Sequence, residues 1–294
     1  MSDSDIANIM RASRVSLSDE EIGRLAREAA GYERIERNPD GSFKERDPKT
    51  CARTAFLAPF GLGFRNGWDE VVAALSAKFA GTAPIAYIFG GGVSALGVEL
   101  EALNGQFVYG INWTRKWFNP SMLQIMDDMP LRSQVIENPW PIMSVLVTSQ
   151  TLWKRHASKG RLDGVPHALF DCRDLHNDHR SFAFPDHPWE PLEHYSNSLG
   201  IALQIVYGLG FRKIVLIGFD FGGEHFFGDG KSEGCANHYG LAGDTKPDLH
   251  VKLLALAHVL RGHGCKVAQV GATKLEWAFD QFATVEEAHA HLRA

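Results

Sequence analysis

From about residue 54 onward, short apolar runs alternate with longer amphipathic segments, and that alternation leaves few folds open. The runs at 85–89 (IAYIF), 107–111 (FVYGI), 143–148 (MSVLVT), 168–171 (ALFD), 214–217 (IVLI) and 266–270 (KVAQV) have the length and composition of strands. The segments 68–79, 95–103, 198–208, 248–261 and 285–293 carry helical patterns between them. A strand that is apolar on both sides must be covered on both faces. The alternation therefore predicts an α/β fold: a Rossmann-like, doubly wound, mostly parallel sheet with helices on both faces. In such a sheet, ligands sit beyond the carboxyl ends of the strands, where the strand order reverses.

Composition narrows the function. With 45% hydrophobic and 22% charged residues in 294, wholesale disorder is excluded. The net charge of −5 sets a nucleic-acid coat at a disadvantage and leaves room only for a local basic patch. The four cysteines, Cys51, Cys172, Cys235 and Cys265, form no CxxC pair, which argues against a zinc knuckle and for free thiols in a reducing compartment. No apolar run approaches the roughly 20 residues of a membrane span, and the first residues lack a signal-peptide core. A soluble, cytoplasmic protein is expected, and a homo-oligomer stays open.

Residues 1–53 stand apart as a helical, charged N-terminal extension ahead of a nucleotide-binding domain at 54–294. Within the extension, 17–30 (LSDEEIGRLAREAA) predicts a helix, with Ser18 as cap and Glu21 closing a capping box. Residues 31–50 mix both charge signs with Gly, Pro, Asn and Asp, the composition of a solvated linker.

The first strand runs into Gly90-Gly91-Gly92-Val93-Ser94-Ala95, a G-x-G-x-x-A spacing. Glycine permits a tight turn and close backbone approach to an anionic oxygen, and a helix start offers free N–H groups to it. Ser94 adds a hydroxyl. A dinucleotide site also needs an acid at the end of the second strand, and Asn112 stands there instead, followed by Arg115 and Lys116. This disfavours NAD, leaves NADP a weak alternative, and suits a nucleotide held by the Asn112 amide and the cations.

In the second half, Ser196-Asn197-Ser198 opens a helix, and a buried strand ends in Gly218-Phe219-Asp220. Asp220 at that end lies where this architecture places ligands, and the Ser196–Ser198 helix start is a second anion or ribose contact. Downstream, Gly-rich loops carry His225, Asp229 and His238. His238 and His225 are the general-base candidates, since imidazole titrates near neutral pH. Asp220, Glu224, His225, Asp229 and His238 are also candidate metal ligands, although their spacing matches no known metal motif.

The Gly-Gly-Gly-x-Ser loop, the strand ending in Asn112 and the unit SNSLGIALQIVYGLGFRKIVLIGFDF resemble two related groups. One is the bacterial lipooligosaccharide sialyltransferases. The other comprises motility accessory factors and 6-hydroxymethylpterin diphosphokinases, with phage-type members whose G-x-H-F-F-G-D segment is similar to residues 223–229. The sialyltransferase resemblance implies a sugar donor activated by a cytidine nucleotide, held by Gly90, Gly91, Gly92, Ser94, Asn112 and the Ser196–Ser198 helix start; the expected donor is a CMP- or UDP-linked sugar. The same resemblance implies a metal-free His base at His238, which precedes Tyr239 as in the family's H-Y pair. Where that family has a tyrosine after the strand's Asp-Phe, this chain has Gly222, so His225 or Arg115 would stabilise the departing phosphate. The diphosphokinase resemblance implies ATP and Mg²⁺, with Asp220 and Asp229 facing the metal. The remaining readings are an NADP-dependent oxidoreductase and a non-enzymatic interaction protein that binds through residues 1–50.

Overall fold

The computed structural model describes residues 67–103, 105–116, 118, 120–137, 144–173, 187, 192–193, 198–220, 247–271 and 278–294. The N-terminal extension expected at 1–53, with its helix at 17–30, lies outside them.

Eight strands form one sheet: β1 (Ile85–Phe89), β2 (Phe107–Ile111), β3 (Met122–Ile125), β4 (Val145–Ser149), β5 (His167–Phe170), β8 (Lys213–Ile217), β9 (Lys266–Val270) and β10 (Asp280–Phe282). Their order is β10-β9-β8-β1-β2-β3-β4-β5, and every pairing is parallel. A separate two-residue ladder joins β6 (Cys172–Arg173) to β7 (Leu192–Glu193). The chain leaves β1 toward β5, then returns to β8 on the other side of β1. The strand order therefore reverses between β1 and β8.

Strand alternation assigns the two faces. Ala86 and Ile88 of β1, Phe107 and Tyr109 of β2, and Ile214 and Leu216 of β8 pack with α1 (Trp68–Lys78), α4 (Ser198–Gly208) and α5 (Pro247–Gly262). Tyr87, Phe89, Val108, Val215 and Ile217 point the other way, against α6 (Val285–Arg293) and the segment after β1. Toward β3 and β4 that second face is closed by Leu131 of α2 (Asp128–Leu131) and Leu152 of α3 (Gln150–Ala157). The sheet is thus doubly wound, as its apolar strands require.

Four helices and all six expected strands lie within two residues of their sequence positions. The exception is 95–103, which forms two 3₁₀ pieces, Val93–Gly97 and Leu100–Leu103, and no α-helix. The buried residues Val93 and Leu96, and Leu100 and Leu103, recur every three positions, which is the 3₁₀ repeat. β3 and α3 have no counterpart in the apolar pattern. β3 carries a fully buried glutamine, and α3 is mostly polar, with Ser149 Oγ accepting the Leu152 N–H at 3.2 Å as its N-cap.

Cys172 and Cys265 are free thiols. Burial pushes Cys265 up to about 12, so it stays protonated and unreactive at neutral pH. Among the described residues, no helix is long and apolar enough to cross a membrane.

Gln124 is the polar staple of this half of the sheet. Its Oε1 accepts the Tyr109 hydroxyl at 3.0 Å, and its Nε2 donates to the Ser198 carbonyl at 3.0 Å, tying the start of α4 to β2 and β3. Gln124→Leu would strand both partners and should lower stability by about 1–3 kcal/mol in urea unfolding. Unchanged stability would show that neither bond contributes.

Candidate functional site

The reversal between β1 and β8 sets the place, and both strands continue past the sheet there. Gly90 N donates to Ile217 O, and Gly92 N donates to Gly218 O, each at 2.8 Å. This seam admits no side chains. A Cβ on Gly90 would lie 2.6 Å from Gly218 O, and one on Gly92 would lie 2.6 Å from Asp220 Oδ2. Gly218 itself has φ +73°, a conformation that favours glycine, and its Cβ would lie 2.9 Å from Gly90 O. Only glycines allow the two strand ends to run this close together.

Asp220 closes the seam. Its carboxylate is buried, with Oδ2 accepting Ser94 N at 2.9 Å and Oδ1 accepting the Ser94 hydroxyl. The Val93 N–H also donates to it. The glycine turn does meet an anionic oxygen at close range, as its spacing predicts, but that oxygen belongs to the chain's own aspartate. Burial pushes the Asp220 carboxyl up to about 6, against the pull of the Ser94 and Val93 hydrogen bonds.

The end of β2 lies beside this seam. Asn112 opens a 3₁₀ turn (Asn112–Lys116) with φ 49°, and among the described residues it alone of the non-glycines has a positive φ. Such strain persists only where neighbours hold it. Gln134 Nε2 donates to the Asn112 carbonyl at 2.5 Å, and Met126 N donates to its Oδ1 at 3.4 Å. With Oδ1 engaged, Nδ2 is the end of the amide with a donor to offer. Thr114 locks this turn to β1: its hydroxyl accepts Ile111 N at 3.0 Å and shares its proton between Ile111 O and Phe89 O at 2.8 and 3.1 Å. Arg115 is buried beside it. Burial lowers its guanidinium to about 10, so it keeps its charge at neutral pH.

The structure therefore brings together Gly90, Gly92, Ser94 and Asp220 at the seam. Asn112 and Arg115 stand on the next strand end, and Gly91 lies within the turn, half-buried. Ser198 starts α4 and is bound to β3 through Gln124. Ser196, Asn197, His225, Asp229 and His238 lie outside the described residues. The clamping residues Thr114, Gln124 and Gln134 had no sequence signal beyond being polar within or beside apolar runs. Among the described residues, no three His, Cys, Asp or Glu side chains gather as metal ligands.

The raised Asp220 pKa has a definite sign. A carboxyl whose folded value of about 6 exceeds its ordinary 3.8 favours folding when protonated. That contribution is complete below about pH 3.8 and is lost as pH rises through about 6. Wild type should therefore gain stability over Asp220→Asn as pH falls from 8 to 4, by up to about 3 kcal/mol, because the amide does not titrate. Melting temperatures of both proteins across that range check it, and a difference that stays flat would refute it.

No family model, no curated protein and no solved structure matches this chain.

Proposed function

We propose that the protein transfers a glycosyl group from a nucleotide-activated donor, a CMP- or UDP-linked sugar, to a hydroxyl acceptor. The observation that carries this reading is the strand-order reversal between β1 and β8, the place where such sheets bind ligands. There the end of β1 is sealed to β8 by Asp220, and the next strand end presents the Asn112 amide and the buried Arg115 cation. An amide donor and a cation carried on one turn suit a base or ribose and the phosphate attached to it.

In this scheme the acceptor oxygen bonds to the anomeric carbon as the bond from that carbon to the phosphate oxygen breaks. The nucleotide leaves with the electron pair. His238 takes the acceptor's proton, and Arg115 offsets charge on the departing phosphate.

The burial of Asp220 beneath Ser94 weighs for sugar transfer over diphosphate transfer, because the latter reading needs Asp220 on Mg²⁺. The same contacts weigh against an NADP oxidoreductase, because the Ser94 N–H that would meet a pyrophosphate is already bound to Asp220.

CMP or UDP at millimolar concentration should raise the melting temperature, with NADP giving no shift. A flat response to every pyrimidine nucleotide would overturn the reading. His238→Ala should cut turnover by roughly 10²–10⁴-fold with donor affinity nearly unchanged, measured by turnover and equilibrium binding on the same preparation. A loss confined to donor affinity would make His238 a binding residue instead.

A further inference from the structure

The segment that follows α2 departs from α-helical geometry. Arg132–Ile136 forms one π-helical turn, closed by Glu137 N donating to Arg132 O at 2.8 Å. A π-turn holds one more residue than an α-turn, so the side chains flanking it are rotated relative to an unbroken α-helix. Such single turns are frequent at functional sites. The residue at the middle of this one is Gln134, and it meets the end of β2.

Gln134 makes one bond and forgoes another. Its Nε2 donates to the Asn112 carbonyl at 2.5 Å. Its Oε1 is buried and has no hydrogen-bond partner among the described residues. Packing does not account for this choice of residue, because a methionine has nearly the same length and would bury no unpaired acceptor. What Gln134 adds over an apolar side chain is the bond to Asn112.

That bond falls on the one described non-glycine residue with a positive φ. Asparagine visits the left-handed region but is not confined to it. The second restraint on Asn112, Met126 N to its Oδ1, is long at 3.4 Å, so the shorter Gln134 contact is the stronger hold. The backbone conformation of Asn112 fixes the direction of its Cα–Cβ bond, and with it the reach of its Nδ2. Asn112 is half-buried, whereas Gln134 is 1% exposed and leaves a ligand no surface to touch. We propose that Gln134 is a positioning residue for nucleotide binding: it holds Asn112 so that the Asn112 amide meets the base or ribose, and it acts on the ligand only through Asn112. This rests on the transferase reading above.

Calorimetric titration with CMP and with UDP tests it on four proteins: wild type, Gln134→Met, Asn112→Gly and the double variant. Glycine adopts a positive φ freely, so Asn112→Gly removes the amide and keeps the turn. Gln134→Met should weaken nucleotide binding roughly 5–20-fold when Asn112 is present. In the Asn112→Gly background the same change should cost no more than about twofold, because nothing is left to position. Gln134→Glu, close to glutamine in shape but with no donor for the Asn112 carbonyl once ionised, should repeat the coupled loss. Melting temperatures confirm that each variant is folded. Unchanged affinity in folded Gln134→Met and Gln134→Glu would overturn the proposal and leave the transferase reading standing. An equal loss in both backgrounds would do the same and give Gln134 a purely structural role. Failure of wild type to bind either nucleotide would overturn both.

Discussion

The bond between a buried carboxylate and a five-residue turn organises the upper half of this molecule. Asp220 ends the β8 segment, Ser94 opens the turn after β1, and their contact joins residues 126 positions apart at the one place where the strand order reverses. Without it, the N–H groups of Val93 and Ser94 and both carboxylate oxygens would be buried without these partners, and each such loss costs about 1–3 kcal/mol. The glycines follow from the same constraint. Gly90, Gly92 and Gly218 leave no room for a Cβ because the two strand ends must approach closely enough for that contact to form.

A second layer of buried polar bonds holds the neighbouring strand end. Thr114 fixes the β2 turn to β1, Gln134 and Met126 hold Asn112 in its left-handed conformation, and Gln124 carries the connection on to the start of α4. These hydrogen bonds are buried or partly buried, and together they join four chain segments at this rim of the sheet. The rim is therefore tied together where the chemistry is proposed. Binding residues on a preformed frame lose little entropy when a ligand arrives.

The fold was readable because its strands are apolar on both sides. That pattern has one good solution, a parallel sheet covered twice, and six of the eight strands of the main sheet announced themselves by it. β3 was hidden by Gln124, whose burial makes sense only once Tyr109 and Ser198 are known to meet it. α3 was hidden because a mostly polar helix is set by its Ser149 cap and a few apolar anchors. At the site, the sequence singled out Gly90, Gly92, Ser94, Asn112 and Asp220 as residues of interest. It could not show that Ser94 and Asp220 bind each other, because that contact depends on the strand order and no local spacing encodes it.

The distinction changes what the glycine signature means. Glycines before a helix start are expected wherever a backbone must come close to negative charge, and a bound phosphate is one source of that charge. Here the chain supplies it. A turn whose leading N–H groups are satisfied from within has little left to give a ligand's phosphate, so the recognition burden in this crevice shifts by one strand. In the proposed transferase it would fall on Asn112, held in a conformation rare for a non-glycine residue, and on Arg115, a buried cation that keeps its charge. A left-handed backbone and a buried charge both cost stability, and the protein carries both at a single strand end.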